Sequence, residues 1–231
     1  MGNQTGLDFI KTNLRKDEVE GKRVLEAGSF VVNFSPRPIF ESLGASSYVG
    51  IDIAKGPGVD IVCNAEDILD RFGNGYFDIL VSMELLEHVH HWQKVISNFK
   101  KVLKPNGIVL IGTRSRGFDY HGYPYDFWRF TLEDMKSIFS DFSIQSLVND
   151  PACPGLFLKA VKPLDFQEQS LFAYRLYSIV SRRRVSSIGV IEKVLVRTFY
   201  PAMLLFKRIL RLLLPKWARV LIRHNILTRL Q

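Results

Sequence analysis

Two stretches hold most of the chemistry this sequence can offer. Glu84-Leu85-Leu86-Glu87-His88 places two carboxylates and an imidazole within about one helical turn. A second imidazole, His121, lies in an aromatic-rich run over residues 118–131 that also holds Asp126, Trp128, Arg129 and Phe130. Imidazoles titrate near neutral pH, so His88 and His121 are candidate general bases toward a hydroxyl, with Asp126 and Arg129 able to orient or deprotonate it. Glu84, Glu87, His88 and His121 together form a donor set that could hold Mg²⁺ or another divalent ion. The plainer reading is that Glu84 and Glu87 favour the N-terminus of a long helix, and no metal is expected. Trp128 and Phe130 read as core, and His90 and His91 as helix surface.

These residues need a scaffold, and the hydropathy pattern describes one. Buried strands are expected at residues 23–27, 48–53, 59–62, 77–82 and 108–111, with a closing pair at 142–148 and 156–161. A helix should follow Ser35-Pro36, and another should open at a capping box over Thr131-Leu132-Glu133-Asp134. Between them, residues 85–103 predict a long helix with Val89, Trp92, Val95, Ile96, Phe99 and Leu103 on one stripe. Continuous apolar strands separated by helices predict an α/β domain over residues 1–162, a mostly parallel sheet with helices on both faces.

Ligands of open α/β sheets sit beyond the carboxyl ends of the strands. Glu26-Ala27-Gly28-Ser29 follows the first strand, Asp52 ends the second, Asn64-Ala65 ends the third and Ser82-Met83 the fourth. A carboxylate at Asp52 can accept hydrogen bonds from both hydroxyls of a ribose. The GxGxxG fingerprint of dinucleotide binders is missing.

In order, the segments VLEAGS, GIDI, NAEDI, FDILVSMELLEHV and LKPNGIVLIGT resemble the class I S-adenosylmethionine (SAM)-dependent methyltransferases, type 11-like, in the branch with Glu87-His88-Val89 after the fourth strand. The resemblance spans roughly residues 20–162. It implies a Rossmann-like, seven-stranded sheet, SAM as cofactor and roles by position. Glu26 and Gly28 would line the methionine end, Asp52 would hold the ribose, and Ile53 would pack on the adenine. Asn64 and Ala65 would read the adenine edge, and Ser82 and Met83 would floor the pocket. Phe30 stands where most members have the second glycine of their loop, so this loop is expected to take another path or to hold SAM less tightly. Asn64 stands where Asp is usual and still offers a carbonyl acceptor.

Residues 118–131 resemble an HxxPxDxWRxT segment of methyltransferases in bacterial cell-surface polysaccharide and glycolipid pathways. That resemblance implies O-methylation of a sugar hydroxyl in a glycan or lipid-linked precursor. The alternatives are a quinone- or polyketide-like small molecule, or a non-catalytic SAM-binding or membrane scaffold.

Composition bounds the rest. The chain of 231 residues is 47% hydrophobic and 23% charged, which describes a globular protein. Two cysteines make neither a disulfide framework nor a metal cluster. Residues 163–231 carry 13 Lys+Arg against 3 Asp+Glu, while the other 162 residues carry 18 against 20. This second region reads as a helical, basic, amphipathic extension. Its stretch 182–231 suits an anionic membrane surface, and packing into a homodimer is the plainer alternative. No nucleic-acid module is recognisable, and nucleic acid is not an expected partner. With no apolar leader near residues 1–16, the expected location is the cytoplasm, peripheral at the inner membrane face.

Overall fold

Along β4 (Phe77–Met83) the side chains alternate between two cores, and this alternation organises the computed structural model. Ile79, Val81 and Met83 join one apolar cluster with Val24, Ile108, Leu110 and Phe157. Leu80 joins the other with Leu25, Ala27, Ile51, Val109 and Ile111. A strand buried on both faces needs a helical layer on each side. The first layer is built from α1 (Gln4–Asn13), α2 (Lys16–Val19) and α3 (Arg37–Ser42). The second comes from α4 (Ile68–Phe72), α5 (Trp92–Val102) and α6 (Leu132–Ile138). The structure describes residues 4–122, 125–189, 192 and 194.

The main sheet has seven strands in the order β3-β2-β1-β4-β5-β8-β7. The other members are β1 (Arg23–Ala27), β2 (Ser47–Asp52), β3 (Ile61–Val62), β5 (Leu103–Arg114), β7 (Ser143–Asn149) and β8 (Gly155–Val161). β1 to β5 pair in parallel, and β8 runs antiparallel between β5 and β7. The expected Rossmann-like, mostly parallel sheet is therefore present. The chain crosses from β1 to pair with both β2 and β4, so the strand order reverses there and opens a crevice at the carboxyl ends.

Three expectations need correction. The helix expected from residue 85 begins only at Trp92. Glu84 takes φ +61°, and the carbonyl of Glu87 accepts from the backbone N–H groups of Phe127 and Trp128 instead of from a helical partner. The Trp128 indole donates to the carbonyl of Val89 at 2.8 Å, which removes another helical acceptor. His90 and His91 consequently precede the helix, with His91 as its N-cap residue. The strand expected at 108–111 begins at Leu103 and absorbs Pro105-Asn106-Gly107 as an irregularity, with Asn106 at φ +60°.

The third correction concerns residues 163–188. They form no helix. β9 (Leu176–Ser178) and β10 (Arg183–Val185) join β6 (Trp128–Arg129) in a small antiparallel sheet of order β10-β9-β6. Leu171, Leu176 and Ile188 enter the same core as α5. The first compact unit thus runs to Ile188 rather than ending at residue 162, and the second unit is Gly189–Gln231. Arg182 to Arg184, within the region expected to be helical, sit at and in this hairpin, with Arg182 at φ +53° and Arg184 paired to Asp134. The rest of the helical extension expected to residue 231, from residue 195 on, lies outside the described residues.

Candidate active site

The turn after β1 brings Gly28 to φ +85°, a conformation that favours glycine. Phe30 then leads the loop away from a glycine-rich path. Its N–H points to Asp52 Oδ2 at 3.4 Å, and the N–H of Val31 donates to the carbonyl of Pro57 at 2.9 Å. The Phe30 ring lies against Gly56, where a Cβ would overlap it. A Cβ on Gly58 would likewise press on the Ser29 carbonyl. The phenylalanine is thus accommodated by a glycine in the facing β2–β3 connection.

The remaining strand-end residues fall as follows. Asp52 accepts from the N–H of Ala54 at 3.0 Å, and Ile53 beside it is 63% exposed, an apolar face open to a flat ligand. The Asn64 side chain caps the 3-10 turn Ala65–Asp67 by accepting from the N–H of Glu66 at 3.0 Å. Ala65 is buried, and its carbonyl accepts from Asn98 at 3.1 Å. Ser82 is buried with an unpartnered hydroxyl, while the Met83 side chain packs in the core beside Phe157. Glu26 is buried and accepts from the Tyr48 hydroxyl at 2.8 Å, and burial pushes its carboxyl up to about 7 against the pull of that hydrogen bond.

Beyond β4 the chain gathers a denser cluster. The Glu87 side chain is fully buried, and one of its oxygens accepts from the Thr113 hydroxyl at 2.9 Å. His88 Nδ1 lies 2.7 Å from the carbonyl of Tyr125. His121 Nδ1 lies 3.0 Å from Asp126 Oδ2. A carbonyl and an ionised carboxylate only accept, so each imidazole carries a hydrogen on Nδ1 and turns Nε2 away from that partner. Those two Nε2 atoms and Glu87 Oε1 are buried without a hydrogen-bond partner, with His121 Nε2 3.8 Å from Glu87 Oε1. Glu87, His88 and His121 bring ligand atoms within 4.8 Å of one another, a group that could hold a metal ion.

Glu84, expected in the same donor set, is not in this group. Its carboxylate meets the Arg114 guanidinium at 2.5 Å, and Arg114 stacks over Phe118 at 4.1 Å. Burial first, and the Glu87 charge second, push the Glu84 carboxyl upward while Arg114 pulls it back. Asp126, expected as a catalytic group, is fully enclosed between Arg129 and His121. Burial alone would raise its carboxyl, but the hydrogen bonds from Arg129 and then His121 hold it well below the usual carboxylate range. It therefore orients rather than accepts a proton. Trp128 and Phe130 are core, as expected. Sequence reasoning gave no role to Thr113, the last residue of the LKPNGIVLIGT segment, or to Arg114 after it, because only the register of β5 beside β4 brings them to the cluster.

A sheet of this order, with its acids and glycine turn at the carboxyl ends, defines a Rossmann-like methyltransferase fold. Residues 7–150 match the family model described as "Methyltransferase domain", and the chain belongs to that family. It is similar to the ubiquinone biosynthesis O-methyltransferase of Chromobacterium violaceum, 30% identical over 129 residues, which cover 49% of this chain and 52% of that protein. The enzyme of the same name from Rickettsia canadensis is 36% identical over 63 residues, 27% of each. The chain thus matches about half, or less, of the length of these curated relatives. Among solved structures, a Burkholderia thailandensis 1,6-didemethyltoxoflavin-N1-methyltransferase superposes with a TM-score of 0.56 at 14% identity, covering 70% of this chain and 80% of that one. That likeness shows the fold. No helix among the described residues is long and apolar enough to cross a membrane.

Proposed function

We propose that this chain transfers a methyl group from SAM to a hydroxyl oxygen of a small-molecule acceptor. The observation that carries the reading is the convergence of Glu87 Oε1, His88 Nε2 and His121 Nε2, buried and unpartnered, at the carboxyl end of the sheet. With both imidazoles neutral these three atoms are all acceptors, and a cation or an acidic hydroxyl among them would satisfy all three. One carboxylate and two neutral imidazoles suit a divalent ion such as Mn²⁺ or Mg²⁺, so Glu87, His88 and His121 would be its ligands. When bound, such an ion lowers the pKa of an oxygen it touches. Thr113 fixes the second oxygen of Glu87, and the contacts of Nδ1 with Tyr125 and Asp126 turn Nε2 of the two histidines inward. Asp52 would hold the SAM ribose and Ile53 the adenine face, with Gly28 giving the backbone close approach.

Similarity to ubiquinone O-methyltransferases favours a phenolic quinone precursor as the acceptor. The sugar-hydroxyl reading rests on the sequence of residues 118–131, but Trp128 and Phe130, the aromatic faces it would use, are in the core. The test is transfer of a tritiated methyl from SAM to a hydroxylated quinone precursor and, in parallel, to a lipid-linked sugar, with the protein stripped by chelator and reloaded with Mn²⁺. Transfer to the phenol that needs the metal and fails in Glu87→Gln is expected. Methylation of an amine, or of neither acceptor by SAM-bound protein, would overturn the reading. The stretch 182–231 carries 12 Lys+Arg against one acid, and attraction to anionic membranes is proposed on that charge. Co-sedimentation with anionic but not neutral liposomes is expected, and equal binding to both would refute it.

A further inference from the structure

Arg129 is fully buried, and no open surface reaches it. All five of its N–H donors are in use. Nε donates to the carbonyl of Phe118 at 3.2 Å, and one terminal nitrogen donates to the carbonyl of Trp128 at 2.7 Å and to Asp126 Oδ1 at 2.5 Å. The other donates to the carbonyl of Asp119 at 3.1 Å and to Asp126 Oδ2 at 2.7 Å. Asp126 Oδ2 in turn accepts from both the backbone N–H and the ring Nδ1 of His121. One guanidinium therefore grips the backbone just before His121, together with the carboxylate that holds the His121 ring. The ring is also wedged edge-on between Phe118 and His88, with centroids at 4.9 and 4.8 Å.

We infer that Asp126 and Arg129 form a positioning pair whose task is to hold a hydrogen of His121 on Nδ1, so that Nε2 is turned to the centre it shares with Glu87 and His88. The inference deepens the proposed site and rests on that reading only for what Nε2 is used for. The pair is more than packing, because Asp126 Oδ2 takes three donors, one N–H of Arg129 and two of His121, so that only an acceptor can stand there. Asp126→Ala removes that acceptor, and the His121 ring then has nothing to hold its hydrogen on Nδ1.

Two readouts separate the inference from the reading beneath it. Nitrogen-15 NMR of the imidazoles in the full chain reports which nitrogen of His121 carries hydrogen, with no metal or activity required. The expected result is hydrogen on Nδ1 in the wild type and a loss of that preference in Asp126→Ala. Mn²⁺ titration should then show affinity falling on the order of 10- to 100-fold in the variant, the usual effect of losing a residue that orients a ligand. Nδ1 without hydrogen in the wild type, or an unchanged preference for Nδ1 in folded Asp126→Ala, would overturn the inference. A preference that is lost in a protein with no affinity for Mn²⁺ would sustain the positioning pair and sink the metal reading. If Asp126→Ala does not fold, the wild-type spectrum alone decides, because the inference requires hydrogen on Nδ1.

Discussion

Glu26 carries a measurable consequence of being buried beside Tyr48. Its carboxyl is raised from 4.5 to about 7 in the folded protein. A raised acid contributes stability that is fully present below about pH 4.5 and lost as pH rises through about 7, because the folded state holds the proton longer. Glu26→Gln keeps an acceptor for the Tyr48 hydroxyl and removes the titration. Urea unfolding across pH 4–8 should show the wild type losing up to about 3 kcal/mol that the variant retains. Parallel pH profiles for the two proteins would contradict this. The facing glycine makes a second residue-scale prediction. Gly56→Ala forces the Phe30 ring to move and should weaken SAM binding, read by calorimetry, while Gly73→Ala, whose Cβ would meet nothing but whose φ of +77° disfavours it, should cost stability alone. At this scale the sequence was legible where a residue type has one use. Asp52 ends its strand as expected, while His88 meets His121 from a turn, because the helix expected to carry it begins only at Trp92. Glu84 does not join that pair, because its partner Arg114 arrives from β5 across a register that no local pattern announces.

At the scale of elements, the capping box that opens α6 was readable and is present. Thr131 accepts from the N–H of Asp134, and Asp134 accepts from the N–H of Thr131 at 2.9 Å. Thr131→Ala should cost about 1 kcal/mol in urea unfolding. Asp134→Ala should cost more, since the same buried carboxylate also takes the Tyr174 hydroxyl at 2.9 Å and Arg184. Equal costs would mean that β9 and β10 draw nothing from it. The late start of α5 was not readable. Leu85, Leu86 and Val89 fit a helical stripe, and only the tertiary pairing of β6 with the carbonyls of Glu87 and Val89 overrides it. That override is what creates the site, since a helix through residues 85–91 would spend those carbonyls internally.

For the whole molecule, the mostly parallel sheet and its two helical layers were legible because the strands are continuously apolar and separated by helices. The reach of the first unit to Ile188 was not, since residues 163–188 are poor in periodic apolar runs and join the core through a few anchors. A chain ending at residue 162 should therefore be less stable than one ending at residue 188. Loss of Leu171 and Leu176 alone is worth about 1.5–3 kcal/mol each. Equal melting of the two would show that the small sheet is an ornament. The central claim is that the crevice at the carboxyl ends of β1, β2 and β4 takes SAM. Calorimetric titration of SAM into the wild type and into Asp52→Ala tests it most directly. The account predicts binding by the wild type and a loss of about 2–4 kcal/mol in the variant, on the order of 30- to 1,000-fold in Kd, from removing a charged acceptor of ribose hydrogen bonds. Folded wild type that takes up no SAM, or Asp52→Ala that binds it equally well, would contradict the account.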